Sequence, residues 1–211
     1  MVKFERFGGA SGVVGVTAIA IQFALVGVAT PDSQALLHDR MRWEWTTLLR
    51  IVGGLGLIWF TAGLAARLRR FGSRSGPATI VLGAGILWGC IWLISGLFSS
   101  AAISLATTYA DPAGVPFLMV LGVESTLVLT PVLSIAFLAG TGTAILESPT
   151  FPRRYAYMTL SGAAFRAVMA ILDWYGTAKV AMRILDFTLL WVVVTAIHLL
   201  GATQPASEAS T

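Results

Sequence analysis

Six long apolar stretches constrain what this chain can fold into more than any other feature. A helix needs about 20 mostly apolar residues to cross the hydrocarbon core of a bilayer, and unpaired backbone amides in lipid cost several kcal/mol each. We therefore predict an all-α polytopic membrane protein, a six-transmembrane-helix bundle that forms one membrane domain over residues 1–211. The predicted spans are 12–29, 47–66, 78–98, 115–145, 155–174 and 177–200.

The composition supports a membrane protein and excludes several other classes. Hydrophobic residues make up 56% of the chain and charged residues 11%, against about 25% charged residues in soluble domains. The mean hydropathy of +0.82 excludes a disordered chain and a nucleic-acid-binding module. Cys90 is the single cysteine, so a scaffold of intrachain disulfides is excluded as well.

The basic residues predict the orientation of the bundle. Of the 14 lysines and arginines, eight fall on one side of the predicted spans and three on the other, which places the first side in the cytoplasm. Both termini are then cytoplasmic, in a bacterial inner or plasma membrane. The first span has a second interpretation as a cleaved signal peptide, because Lys3 and Arg6 precede it and small residues end it. Its length favours a retained anchor.

Two segments depart from simple spans. Thr30 and Pro31 form a typical helix start, and residues 35–45 predict a short outer helix between spans one and two, with Trp43 and Trp45 at the membrane interface. Pro131 lies inside the long fourth span. We expect it to kink that helix, or to end one helical piece and start another.

Glycines in the third span predict close helix contacts. Gly85 and Gly89 form a Gly-x-x-x-Gly pair, and Gly96 extends the same face. Small residues let helix backbones approach each other where lipid supplies no hydrophobic driving force. The pattern favours packing within the bundle, with dimerisation as the alternative.

Six ionisable residues fall inside the predicted spans, at depths where charges are rare and usually face the bundle interior or a wet cavity. Three are basic and three are acidic. With a rise of about 1.5 Å per residue, all six are expected in the outer half of the bundle. They are Arg50, Glu124, Arg166, Asp173, Arg183 and Asp186.

We predict that these six residues form one polar cluster that is open to the outer side. An unpaired charge near the middle of a bilayer costs at least about 2.5–3.5 kcal/mol, so pairing is expected. The cluster indicates a site that binds or transports a small polar or amphipathic ligand, with the arginines on its anionic group and Glu124 and Asp186 as counter-charges or proton carriers. The alternative is an internal ion-pair network in a non-catalytic structural or accessory subunit of a larger membrane complex.

No residue pattern predicts a catalytic, metal or cofactor site. His38 and His198 are expected a membrane thickness apart, which excludes their joint ligation of haem, and a zinc site lacks ligands. No nucleophile with a nearby base is found, so an enzyme is the weakest hypothesis. The expected partners are the lipid bilayer, a small ligand from the outer side, and a membrane protein or a second copy of the chain, but no nucleic acid.

Residues 48–87 carry a resemblance to known proteins. Gly53-Gly54, the run 57–60, the arginine cluster 67–70 and the run 83–85 together form a glycine-rich hairpin with a basic loop. This segment resembles small bacterial multi-pass membrane proteins classed as domains of unknown function. The resemblance implies a helical membrane domain and offers no catalytic residues to transfer.

Overall fold

The protein is described by a computed structural model over residues 2–26, 38–73, 75–108, 114–148, 152–174 and 187–200. The chain forms six α-helices in these ranges, and five of them, α1 to α5, are long and apolar enough to cross a membrane. The last, α6, is a shorter apolar helix. The helices are α1 (Val2–Val26), α2 (Arg40–Arg70), α3 (Ser75–Thr107), α4 (Gly114–Glu147), α5 (Arg153–Trp174) and α6 (Phe187–Leu200).

The all-helical prediction is confirmed, whereas six spans are only partly accounted for. The sixth predicted span appears as the 14 residues of α6, because its first ten residues lie outside the described ranges. The other helices extend beyond their predicted spans at one or both ends: α1 begins at Val2, ten residues before its predicted start, and α3 ends at Thr107, nine residues after its predicted end. Hydropathy marks the part of a helix that lipid requires, but a helix continues until a breaker or cap ends it.

The short outer helix predicted over residues 35–45 is not a separate element in its described part. From Arg40 onward the chain already belongs to α2. Arg40 pairs with Glu44 one turn later at 2.6 Å, and the Thr46 hydroxyl donates to the Arg42 carbonyl at 2.9 Å. Residues 40–52 contain no glycine or proline, so the helix that starts at Arg40 continues into the second predicted span. Thr30 and Pro31 lie outside the described residues.

Pro131 does not divide α4, which is helical from Gly114 to Glu147. A proline removes one backbone N–H from the helical ladder but leaves the other hydrogen bonds of the helix in place. In lipid, neighbouring helices make such an interruption tolerable. The second alternative predicted at this residue, an end and a new start, is therefore wrong.

Consecutive helices run antiparallel, as the residues that meet between them show, and α6 packs mainly against α1. A Cβ at Gly15 of α1 would lie 3.0 Å from the Cα of Gly56 in α2, and one at Gly54 would lie 2.6 Å from the carbonyl oxygen of Gly89 in α3. Only glycine permits backbones to come so close. The predicted glycine face of α3 is thus used within the bundle. We call the two ends of the bundle the Arg40 end and the Arg70 end, after the first and last residues of α2.

Four buried aromatic side chains form the centre of the bundle. The ring of Phe137 in α4 lies 6.3 Å from that of Phe60, 5.9 Å from that of Trp88 and 5.7 Å from that of Trp191, between ring centroids. These residues come from α2, α3, α4 and α6, and we call them the aromatic layer. The layer joins helices that are distant in sequence, and the polar groups described next lie on either side of it.

Candidate functional site

Arg50 of α2 is a buried cation held by hydroxyl groups of α3. Its side chain is 7% exposed. Nη1 donates to the Ser99 hydroxyl at 2.6 Å and to the Ser95 hydroxyl at 3.3 Å. Among the side chains that the structure describes, no carboxylate oxygen lies within 4.0 Å of this guanidinium. Among these described side chains, the Arg50 guanidinium therefore donates its hydrogen bonds to neutral hydroxyl groups.

The sequence of α3 explains why hydroxyl groups meet Arg50. Trp88, Trp92, Ser95 and Ser99 follow one another at helical spacing and are all buried, so they share the face that points into the bundle. Gly96 brings α2 close to this face, since a Cβ there would lie 3.6 Å from the Cβ of Arg50.

Further polar side chains are buried at the level of Arg50. Ile19 of α1 packs against Gly53 of α2. Gln22 lies one turn from Ile19 and Arg50 lies one turn from Gly53, both toward the Arg40 end, so Gln22 and Arg50 are at the same depth. Within the described part of the chain, Gln22 Oε1 and the Trp92 indole N–H have no hydrogen-bond partner. Both are at least nine-tenths buried. Together with Ser95, Ser99 and Arg50, we call these residues the Arg50 layer.

Arg166 of α5 lies in a different layer. It is 8% exposed, and its Nε donates to the Ser134 hydroxyl of α4 at 3.4 Å. A Cβ at Gly122 of α4 would lie 3.3 Å from the carbonyl oxygen of Ser95, next to Arg50. Ser134 is 12 residues further along α4, which corresponds to about 18 Å along the helix axis. The two arginines therefore contact hydroxyl groups at two depths, and Ser134, the partner of Arg166, lies one turn from Phe137 of the aromatic layer along α4.

The other four predicted site residues are placed only in part. Glu124 lies on α4 two residues after Gly122, so its backbone is at the depth of Ser95. Asp173 lies in the last turn of α5. Arg183 and Asp186 lie outside the described residues. Arg50 and Arg166 are thus not brought together, because their hydroxyl partners lie at different depths, and a contact of the other four side chains with either arginine stays a prediction.

A buried ionic group at the Arg70 end was not predicted from the sequence. Glu5 of α1 is 1% exposed, and its carboxylate lies 3.1 Å from Arg70 Nη1 and 3.8 Å from Arg67 Nη1 of α2. Both guanidinium groups also lie 5.4 Å from the centroid of the Phe71 ring. The available signal was helical spacing, since Glu5 falls on the face of α1 that carries Gly8, Gly12 and Gly15.

A second polar contact at the same end joins α5 to α6. The Tyr155 hydroxyl lies 2.6 Å from the Thr195 hydroxyl, and the Trp191 indole donates to the Thr159 hydroxyl at 3.0 Å. Tyr155 also stacks on His198, with ring centroids 6.3 Å apart. A narrow cleft here, lined by Arg67, Thr141 and these aromatic residues, has room for about one water molecule.

The comparisons with known proteins assign no family to this chain. A scan against family models finds no match, and searches of curated proteins and of solved structures find none either. The resemblance of residues 48–87 therefore stays a prediction. In the ranges that the structure describes, no group of three or more His, Cys, Asp or Glu side chains is arranged to hold a metal ion. What the described geometry offers is a buried guanidinium with neighbouring hydrogen-bonding groups.

Proposed function

We propose that this integral membrane protein, of a bacterial inner or plasma membrane, binds and transports a small polar or amphipathic anion that enters from the outer side. The observation that supports this is Arg50, which is 7% exposed and hydrogen-bonded to Ser95 and Ser99. A buried cation next to an indole N–H without a partner in the described structure is suited to an anionic group, because both are hydrogen-bond donors, whereas Gln22 Oε1 is an acceptor and does not support anion binding. Ligand contact would satisfy the Trp92 N–H as well as the guanidinium.

The remaining predicted residues have distinct roles in this proposal. Glu124, at the depth of Ser95, is the counter-charge of Arg50 or a proton carrier, and Asp186 has the same role on the last span. Arg166 is the second cationic position, nearer the aromatic layer. Arg183 and Asp173 complete the predicted cluster.

The proposal is tested by thermal unfolding of the purified full-length protein. Acetate, glycolate, benzoate and phosphate are each compared with chloride at equal ionic strength. We expect at least one of these anions to raise the unfolding midpoint of the wild type saturably, because a ligand at 100 times its Kd adds about 2.7 kcal/mol of stability. Arg50→Gln should abolish this shift, and Glu124→Gln should change it.

Arg40→Gln is the matched control. Arg40 is also an arginine of α2, but its side chain is 59% exposed and pairs with Glu44. This variant should keep the anion-dependent shift of the wild type. A full shift in Arg50→Gln, or no shift of the wild type with any of the four anions, contradicts the proposal.

The second candidate function is a non-catalytic structural or accessory subunit of a larger membrane complex. One observation favours it, since the Arg50 guanidinium already donates to two hydroxyl groups of its own chain. In this case the arginine fixes the packing of α2 on α3 and binds nothing. Co-purification with a partner protein, together with the absence of any anion-dependent shift, would support this function over the first.

A further inference from the structure

Gln22 of α1 is a buried hydrogen-bond acceptor at the depth of Arg50. Its side chain is 2% exposed, and its Oε1 atom has no hydrogen-bond partner among the residues that the structure describes. A buried acceptor without a donor costs free energy, so a donor is expected to meet this atom. A carboxylate carries only acceptors and cannot supply it. The donor therefore has to come from a group other than the anionic one.

Thr47 of α2 adds a second polar atom of this kind. Its hydroxyl group is buried and has no hydrogen-bond partner within the described ranges. Thr47 lies three residues before Arg50 and thus on the same face of α2. A Cβ at Gly96 of α3 would lie 3.5 Å from the Thr47 carbonyl oxygen. Because a hydroxyl group both donates and accepts, Thr47 is suited to pair with a hydroxyl group of a ligand.

The indole of Trp92 supplies a donor from α3. Its ring meets the ring of Phe23 edge-on, with centroids 6.0 Å apart, and Phe23 directly follows Gln22 in α1. An indole N–H and a guanidinium can donate but cannot accept hydrogen bonds. Two donors, at Arg50 and Trp92, and one acceptor, at Gln22, thus come from three helices at neighbouring depths.

We propose that the ligand of the Arg50 layer is a small hydroxycarboxylate. This inference rests on the proposed anion site and names the class of anion that the site takes. The ligand carboxylate accepts from Arg50 and from the Trp92 N–H. The ligand hydroxyl group donates to Gln22 Oε1 and accepts from the Thr47 hydroxyl. A simple carboxylate would satisfy the two donors but would leave Gln22 Oε1 without one.

Two matched pairs of anions test this class on the purified full-length protein. Glycolate is acetate with one added hydroxyl group, lactate is propionate with one, and all four are ionised at neutral pH. For each anion, at equal ionic strength, we measure the concentration that gives half of the maximal shift of the unfolding midpoint. This concentration should be about tenfold lower for the hydroxylated member of each pair, because its hydroxyl group pairs with a buried acceptor.

Gln22→Met removes the acceptor and keeps a side chain of similar length. Replacing a buried, unpaired polar group by an apolar one is close to neutral, so this variant should unfold near the wild-type midpoint without ligand. It should bind acetate as the wild type does, and the preference for glycolate should fall to less than about twofold. A tenfold preference that persists in Gln22→Met overturns the proposal.

Thr47→Val and Thr46→Val are a matched pair on α2. Both side chains are buried, but the Thr46 hydroxyl already donates to the Arg42 carbonyl oxygen at 2.9 Å. Thr47→Val should therefore reduce the preference for glycolate. Thr46→Val removes the same hydroxyl group one residue away and should keep the full preference. An equal reduction in both variants contradicts the contact assigned to Thr47.

The outcomes distinguish a failure of this inference from a failure of the proposed function. A saturable shift with equal half-saturation for acetate and glycolate keeps the anion site and overturns the hydroxycarboxylate class. The absence of a saturable shift with every anion overturns the proposed function itself, and this inference with it.

Discussion

At the scale of single residues, the buried charged side chains that the structure describes each contact a polar or oppositely charged side chain on another helix. Arg50 uses serine hydroxyl groups of α3, Arg166 uses Ser134 of α4, and Glu5 uses two arginines of α2. Glu5 is the most completely buried of these charges, with an exposure of 1%. Removing one member of a buried ion pair leaves the other charge without compensation.

The Glu5 contact leads to a prediction about stability. Glu5→Gln should lower the free energy of unfolding by about 1–3 kcal/mol, because Arg67 and Arg70 lose the carboxylate that holds them together. The loss stays below that of a fully buried pair, since the two arginine side chains are 15% and 21% exposed. Thermal unfolding in detergent, followed by tryptophan fluorescence, measures the change.

The exposed pair of Arg40 and Glu44 provides the control for Glu5. Its side chains are 59% and 47% exposed, so Glu44→Gln should change stability by less than about 1 kcal/mol. Glu5→Gln combined with Arg70→Gln should cost less than the sum of the two single changes. A strictly additive result would show that the two residues do not interact.

At the scale of helices, close backbone contacts decide which faces meet. The face of α1 with Gly8, Gly12 and Gly15 lies against α2 and α6. The face of α3 with Gly85 and Gly89 lies against the other side of α2. In lipid, such contacts gain dispersion energy and hydrogen bonding but little hydrophobic energy, so their quality depends on how near the backbones come.

A methyl group at Gly56 should therefore separate α1 from α2. The Cβ of Gly56→Ala would lie 2.5 Å from the Gly15 Cα and 2.6 Å from the Ser11 carbonyl oxygen. Both are backbone atoms, so the helix must move, and we expect a loss of about 1–3 kcal/mol. Thermal unfolding measures it.

Gly83→Ala is the matched helix substitution. No atom lies within 4 Å of a Cβ at this position in the described structure. Alanine favours a helix over glycine by about 1 kcal/mol, so this variant should be as stable as the wild type or slightly more stable. Equal losses in Gly56→Ala and Gly83→Ala would contradict the assigned helix contact.

At the scale of the whole molecule, the directions of the helices define which segments share an end. Gly9, near the start of α1, packs against Ala196 and Leu199 near the end of α6. The end of α6 therefore lies at the Arg70 end, where α1, α3 and α5 begin. A chain with six crossings ends on the side where it begins, and α6 runs toward that side. The described part of α6, with 14 residues, is shorter than a full span.

The helix directions predict the accessibility of single cysteines. In a Cys90→Ala background, Gly72→Cys and Gly201→Cys should be labelled by a membrane-impermeant maleimide from one side only, and Thr108→Cys from the opposite side. The distribution of basic residues makes the first side cytoplasmic. Labelling of positions 72 and 201 from opposite sides would indicate five crossings instead of six.

The amino-acid sequence alone determined the helical class, the approximate position of each apolar helix and an orientation to test. These properties follow from hydropathy and charge, which act over a single turn or a single span. Arg50 and Arg166 could be singled out in the same way, because a charge inside an apolar run is visible without knowing its neighbours.

Only the tertiary structure decided which side chains meet. It gave Arg50 and Arg166 different hydroxyl partners, and it brought Glu5 to Arg67 and Arg70 across more than sixty residues of chain. It also showed that the glycine face of α3 packs on α2. Such pairings depend on the rotation and axial position of each helix against its neighbours. Those quantities result from the packing of all helices together, and no local pattern in the chain specifies them.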